Sequence, residues 1–137
     1  MSKVKKGKDK DDAARLAHGE EVLNKIYGPG GAGPIMSLTD SPFVGETVKN
    51  LFGEVWDRPG LSVRDRRLLV LGATAMLGRP DLVETQVKGA LLGGDMDAEQ
   101  LEEAVLQLAF YTGWGNATAM WHGVQAALKS AAAETEK

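Results

Sequence analysis

Val83, Gln86, Val87, Ala90 and Leu91 fall at spacings of three and four, and the same periodicity recurs along most of the chain. Such a stripe lines one face of an α-helix, whereas the strict apolar–polar alternation of a half-buried strand is nearly absent. Stop and start signals cut the pattern into segments. Residues 12–27 carry a stripe of Leu16, Val22, Leu23 and Ile26 and end at Gly28. Ser41 reads as an N-cap with Pro42 in the first turn, ahead of Val44, Val48, Leu51, Phe52 and Val55 and an end near Trp56. Residues 57–60 read as a turn. Ser62 can cap a third helix with Leu68, Leu69, Leu71, Gly72, Ala75 and Met76 as its stripe. Arg79-Pro80 breaks that helix and opens a fourth, which stops at Gly93-Gly94. Asp97 with Gln100 has the capping-box spacing for a fifth, apolar along Leu101, Val105, Leu108 and Ala109. A sixth starts near Asn116. The expectation is an all-α domain of six helices over 12–137, with residues 1–11 as a disordered charged tail.

Between the first two helices lies GPGGAGP, residues 28–34. A glycine-rich loop can cradle phosphate, but no strand precedes this one and no GK[ST] follows it, so it reads as a connector.

Composition excludes several chemistries. The 137 residues contain no cysteine, so thiolate nucleophiles, disulfides, zinc–thiolate sites and iron–sulfur clusters cannot form within the chain. With two histidines, His18 and His122, a metal site would need mostly carboxylates, and no metal and no cofactor are expected. The net charge is −3, although residues 1–12 hold five lysines against three aspartates. A basic arm can meet nucleic acid or a membrane, but this one is interleaved with acids and lacks aromatics, while the remainder is acidic. Neither partner is expected. No apolar run is long enough to span a bilayer and none follows the charged start as a signal peptide requires, so the expected location is the cytoplasm.

The run EVWDRPGLSVRDRRLLVLGATAMLGRPDLVETQVKGALLGG (54–94), LEEAVLQLAFYTGWGNA (101–117) and the upstream GEEVLNKIYG (19–28) resemble the carboxymuconolactone decarboxylase family, in a branch of the alkylhydroperoxidase D-like fold without redox cysteines. The blocks EVWDRPGL and YTGWG point to its decarboxylase members. The resemblance implies an all-helical homo-oligomer, a trimer or a hexamer. Laid on this chain, the redox members' glutamate falls at Arg67, their cysteine pair at Arg79 and Leu82, and their histidine at Gln86. All four are replaced, so thiol peroxidase chemistry is excluded. Decarboxylase members often keep a histidine where this chain has Gln86, and neutral glutamine can bind or orient but cannot shuttle a proton.

Loss of carbon dioxide from a lactone carboxylate needs anchors for the anion and an acid for the carbon left behind. Arg58, Arg67 and Arg79 are candidate anchors, with Glu54 or His122 for proton transfer. Each also has a structural reading. Glu54, Trp56 and Arg58 can pair locally and pin the turn. Arg79 can be a plain surface arginine, although the helix start after it favours an anion. Gln86 can line a pocket or be a buried amide bonded to backbone. Trp114, between two glycines, can wall a ligand pocket or fill the core. His122 can be a packing residue, and His18, beside Glu20 and Glu21, reads as exposed.

The expected function is cofactor-independent decarboxylation, or related chemistry, on a small carboxylated lactone or ring compound, as in aromatic degradation. The alternative is a non-catalytic small-molecule-binding or structural homo-oligomer that kept the fold.

Overall fold

The computed structural model describes the backbone of residues 2–136 and the side chains of residues 10–136. Every element in it is helical. There are seven α-helices and one π-helical segment where the residue pattern places six helices. They form two compact units, Met1–Leu61 and Ser62–Lys137.

The first unit holds α1 (Ser2–Tyr27), α2 (Gly33–Met36), α3 (Pro42–Glu46) and a π-helix (Thr47–Val55) that continues α3. α1 starts well before residue 12. The expected disordered tail over 1–11 falls mainly on residues whose side chains lie outside those described. Part of the glycine-rich connector forms a single turn, α2, with Pro34 in its first turn. The Asn24 side chain accepts the Ala32 N–H at 3.0 Å and ties that connector to α1. Ser41 has the extended backbone of a cap, but its side chain makes no capping bond.

The larger departure is the π-helix. Its widened turn is recorded in the Trp56 N–H bond to the Leu51 carbonyl, five residues back, at 2.9 Å. Closing turns at i→i+5 puts residues four and five apart on one face. Val48, Phe52 and Trp56 are buried on that face with Val22, Leu23 and Ile26 of α1. Trp56 stacks on Phe52 at 6.1 Å and Tyr27 meets Phe52 edge-on at 5.7 Å. The two helices cross at glycine. A Cβ on Gly19 would lie 2.2 Å from the Val48 carbonyl oxygen, and one on Gly53 would lie 3.4 Å from the Gly19 Cα.

The second unit holds α4 (Val63–Met76), α5 (Pro80–Gly93), α6 (Ala98–Thr112) and α7 (Trp114–Thr135). Its boundaries follow the caps. Ser62 Oγ accepts the Asp65 N–H at 3.0 Å. The Asp97–Gln100 box is closed in both directions, at 2.8 and 3.0 Å. Gly94 ends α5 at φ 70°. α7 begins at Trp114, two residues earlier than expected, because Gly113 takes φ 87° and restarts the helix directly. Leu71 and Ala75 of α4 join Val83, Val87, Leu101 and Met120 in one core. Leu69 and Met76 do not: they sit on the neighbouring face and are exposed. α5 and α7 approach closely at Gly123, where a Cβ would lie 2.6 Å from the Pro80 carbonyl. Among the described residues no helix is long and apolar enough to cross a membrane.

Gly19 has no room for even a methyl group, whereas Gly33 faces open space. Gly19→Ala is expected to destabilise the protein by roughly 1–3 kcal/mol through overpacking. Gly33→Ala, at a helix start, should be neutral or slightly stabilising. Circular dichroism melts of the two variants test the contrast, and equal melting would refute the close crossing.

Candidate functional site

Arg67 lies on the inner face of α4 with no exposed surface. A buried guanidinium must be met by fixed acceptors. Asp95, in the loop after α5, accepts from Nε at 2.9 Å. Gln86, on the inner face of α5, accepts from one terminal nitrogen through its backbone oxygen at 3.1 Å and through its side-chain oxygen at 3.3 Å. Two residues singled out separately in the sequence are therefore partners. Arg67 is held internally and is not placed to anchor an incoming anion, and the Gln86 amide is spent on it. A histidine at position 86 would have to face this guanidinium, which disfavours its protonated form.

Arg79 is exposed, and its fork grips Asp81 at 2.9 and 2.7 Å. These bonds hold the Asp81 carboxyl below its ordinary range and raise Arg79 in turn. Trp114 is 64% exposed at the start of α7. Together with Trp121, Leu106, Glu102 and Glu103 it borders a groove of about 340 Å³ between α6 and α7. That lining is apolar and acidic, which suits a carboxylate ligand poorly. His122 is exposed on α7, its ring 5.5 Å from that of Trp121.

In the first unit Trp56 is buried against Phe52, while Arg58 is exposed in the turn beyond the π-helix. Glu54 has different company. A pocket of about 300 Å³ is lined by Ala14, Arg15 and His18 of α1 and by Lys49, Gly53 and Glu54 of the π-helix. Lys49 and Glu54 are five residues apart, so only the π register brings them to one side. Arg15 bonds the neutral side-chain oxygen of Asn50 and makes no ion pair with a carboxylate among the described residues. Lys49 lies 3.6 Å from Asp12 and 3.5 Å from Glu46. His18 Nε2 is 2.9 Å from Asp57 Oδ2, and its Nδ1 is 3.8 Å from Glu21. The pocket therefore gathers two cationic side chains with two groups able to move protons. Arg15 and Lys49 were not singled out from the sequence, and His18 reads there only as an exposed residue beside Glu20 and Glu21, as it is in the structure. Among the described residues no cluster of three or more histidine, aspartate or glutamate side chains is placed to hold a metal ion.

Residues 43–131 match the carboxymuconolactone decarboxylase family. The chain belongs to that family. It is also 26% identical, over 130 residues, to the 4-carboxymuconolactone decarboxylase of Acinetobacter baylyi, a match that covers 93% of this chain and 96% of that protein. Both findings agree with the blocks EVWDRPGL and YTGWG. The all-α architecture is likewise the one the resemblance implies.

The two arginines at former redox positions should behave in opposite ways. Asp95→Ala strands a buried guanidinium and is expected to cost about 3–5 kcal/mol. Gln86→Leu removes one of its acceptors and should cost about 1–3 kcal/mol. Arg79→Ala, at an exposed pair, should leave unfolding unchanged. Urea titrations of the three variants test this ordering, and an Asp95→Ala protein as stable as the wild type would refute the clamp.

Proposed function

We propose that this protein is a cofactor-independent decarboxylase of a small carboxylated lactone and that the pocket between α1 and the π-helix is its substrate site. The observation that carries the reading is the π register, which sets Lys49 and Glu54 side by side, facing Arg15 and His18. π-Helical turns are frequent at functional sites. The pocket's volume matches the lower range of small-molecule sites. Arg15, whose charge meets only a neutral amide among the described residues, offers a planar fork to a substrate carboxylate. Lys49 supplies a second positive charge, and Glu54 and His18 are the groups available for proton transfer. The substrate class comes from family membership and from the name of the Acinetobacter protein.

The non-catalytic reading has one specific support. At two of the positions that the resemblance gives to the redox members' chemistry, Arg67 and Gln86 satisfy each other, with Asp95 completing the clamp. Either reading is compatible with a homo-oligomer in the cytoplasm. Exposed apolar residues Leu69, Met76 and Leu77 on and just after α4, and Phe110 and Tyr111 on α6, are the faces such an assembly would cover. Light scattering should give three or six times the 14.6 kDa of one chain, and a monomer at micromolar concentration would end the proposal of assembly.

The enzyme reading is tested with 4-carboxymuconolactone and related lactone carboxylates, following release of carbon dioxide. Arg15→Ala and Lys49→Ala should each weaken binding by about 1–3 kcal/mol, the usual loss for a charge-assisted contact. Absence of turnover and of binding heat across the panel would leave the non-catalytic oligomer standing.

A further inference from the structure

Within the proposed pocket the two proton-bearing groups are not equivalent. Breaking the bond between the ring carbon and its carboxylate releases carbon dioxide and leaves the electron pair on the lactone, spread toward the ring carbonyl. One proton must then be added to carbon in every turnover, and it comes ultimately from solvent. An ionised carboxylate only accepts hydrogen bonds, whereas a doubly protonated imidazole donates from both nitrogens. Histidine also exchanges protons readily near neutrality.

His18 is placed for that task. It shares the pocket wall with Glu54 and keeps nearly half of its side chain, 48%, in contact with solvent. Its ring is held by Asp57 at 2.9 Å on Nε2, with Glu21 at 3.8 Å from Nδ1. The Asp57 carboxylate accepts from Nε2, and Glu21 stands beyond hydrogen-bond distance of Nδ1. Asp57 lies in the turn directly after the π-helix, so the bond also fixes the ring relative to that helix. The other charged groups around the ring are Arg15 on α1 and Lys49 and Glu54 on the π-helix.

We infer that His18 is the proton donor to the substrate carbon and that Asp57 is the residue that positions its ring. The assignment rests on the pocket being the substrate site. In each cycle an N–H of His18 gives its proton to carbon as carbon dioxide leaves, and the imidazole is recharged from water. Glu54 is left as a hydrogen-bond acceptor for the bound ring compound.

The test uses the full chain and 4-carboxymuconolactone. His18→Ala should lower kcat by about 100-fold or more with little change in KM, in the range of a lost general acid. Imidazole added to the buffer should restore part of the rate. His18→Gln keeps a hydrogen bond to Asp57 but cannot donate to carbon, so it should be as slow as His18→Ala while melting like the wild type. Asp57→Ala should be slow, and Asp57→Asn, which still accepts a hydrogen bond, should recover much of the rate. Full turnover in His18→Gln overturns the assignment and leaves the substrate site intact. A rate in His18→Ala that imidazole does not raise also overturns it. No turnover by the wild type on any lactone carboxylate overturns the enzyme reading and this assignment together.

Discussion

A guanidinium removed from water has to be answered by acceptors that do not move, and in the second unit that demand organises three elements. Arg67 on α4 takes its carboxylate from the loop after α5 and its neutral acceptors from α5 itself. Taking such a charge out of water costs several kcal/mol, so each of these bonds has to be present together with the others. Position 86 is tied to position 67 in consequence. A polar, uncharged acceptor satisfies the arginine, and glutamine is one. At the two positions where the resemblance sets the redox members' glutamate and histidine, Arg67 and Gln86 are therefore occupied with each other.

Much of this architecture is legible in the residue pattern where one residue type has one structural use. Ser62, the Asp97–Gln100 box and Gly94 are read correctly because capping depends on local geometry, which sequence spacing reports directly. The π-helix is not legible. Val44, Val48, Leu51, Phe52 and Val55 fit an ordinary amphipathic helix, and the widened turn arises only where the segment packs on α1 across Gly19. Leu69 and Met76 fit the apolar stripe read for α4, yet only one face of that helix turns inward and leaves both exposed. At the candidate pocket Glu54 could be singled out from the EVWDRPGL block. Arg15 and Lys49 could not, and His18 reads only as exposed, because an α-helical register sets Lys49 and Glu54 on different sides and no spacing links residue 18 to residue 54 or 57.

Charge separates the two recesses that face the question of substrate. The groove between α6 and α7 offers tryptophan faces but brings Glu102 and Glu103 to its border. A carboxylate entering there meets like charge without a compensating cation from the lining. The pocket of the first unit carries Arg15 and Lys49 against one glutamate in its wall. Lys49 is already shared between Asp12 and Glu46, whereas Arg15 spends its fork on an amide, so the arginine is the stronger anchor. The aromatic block YTGWG contributes Trp114 to that groove and no cation.

The pocket also depends on features that are unfavourable by themselves. A glycine in the middle of a helix costs roughly 0.5–1 kcal/mol relative to alanine. The first unit carries Gly19 in α1 and Gly53 in the π-helix, and it gives up regular α-helical geometry for nine residues beside them. The glycine contact explains the first two costs, since it admits the Val48 backbone to within contact of α1. It does not by itself require a π register, because Val48 and Phe52, four residues apart, would share a face in an α-helix as well. What the π register adds is Lys49 beside Glu54, five residues apart, whereas Trp56, four residues after Phe52, could stack on it in an α-helix as well. Lys49 in that register also reaches Asp12 on α1 and Glu46, so part of its placement ties the π-helix to α1, while Glu54 has no such pair among the described residues.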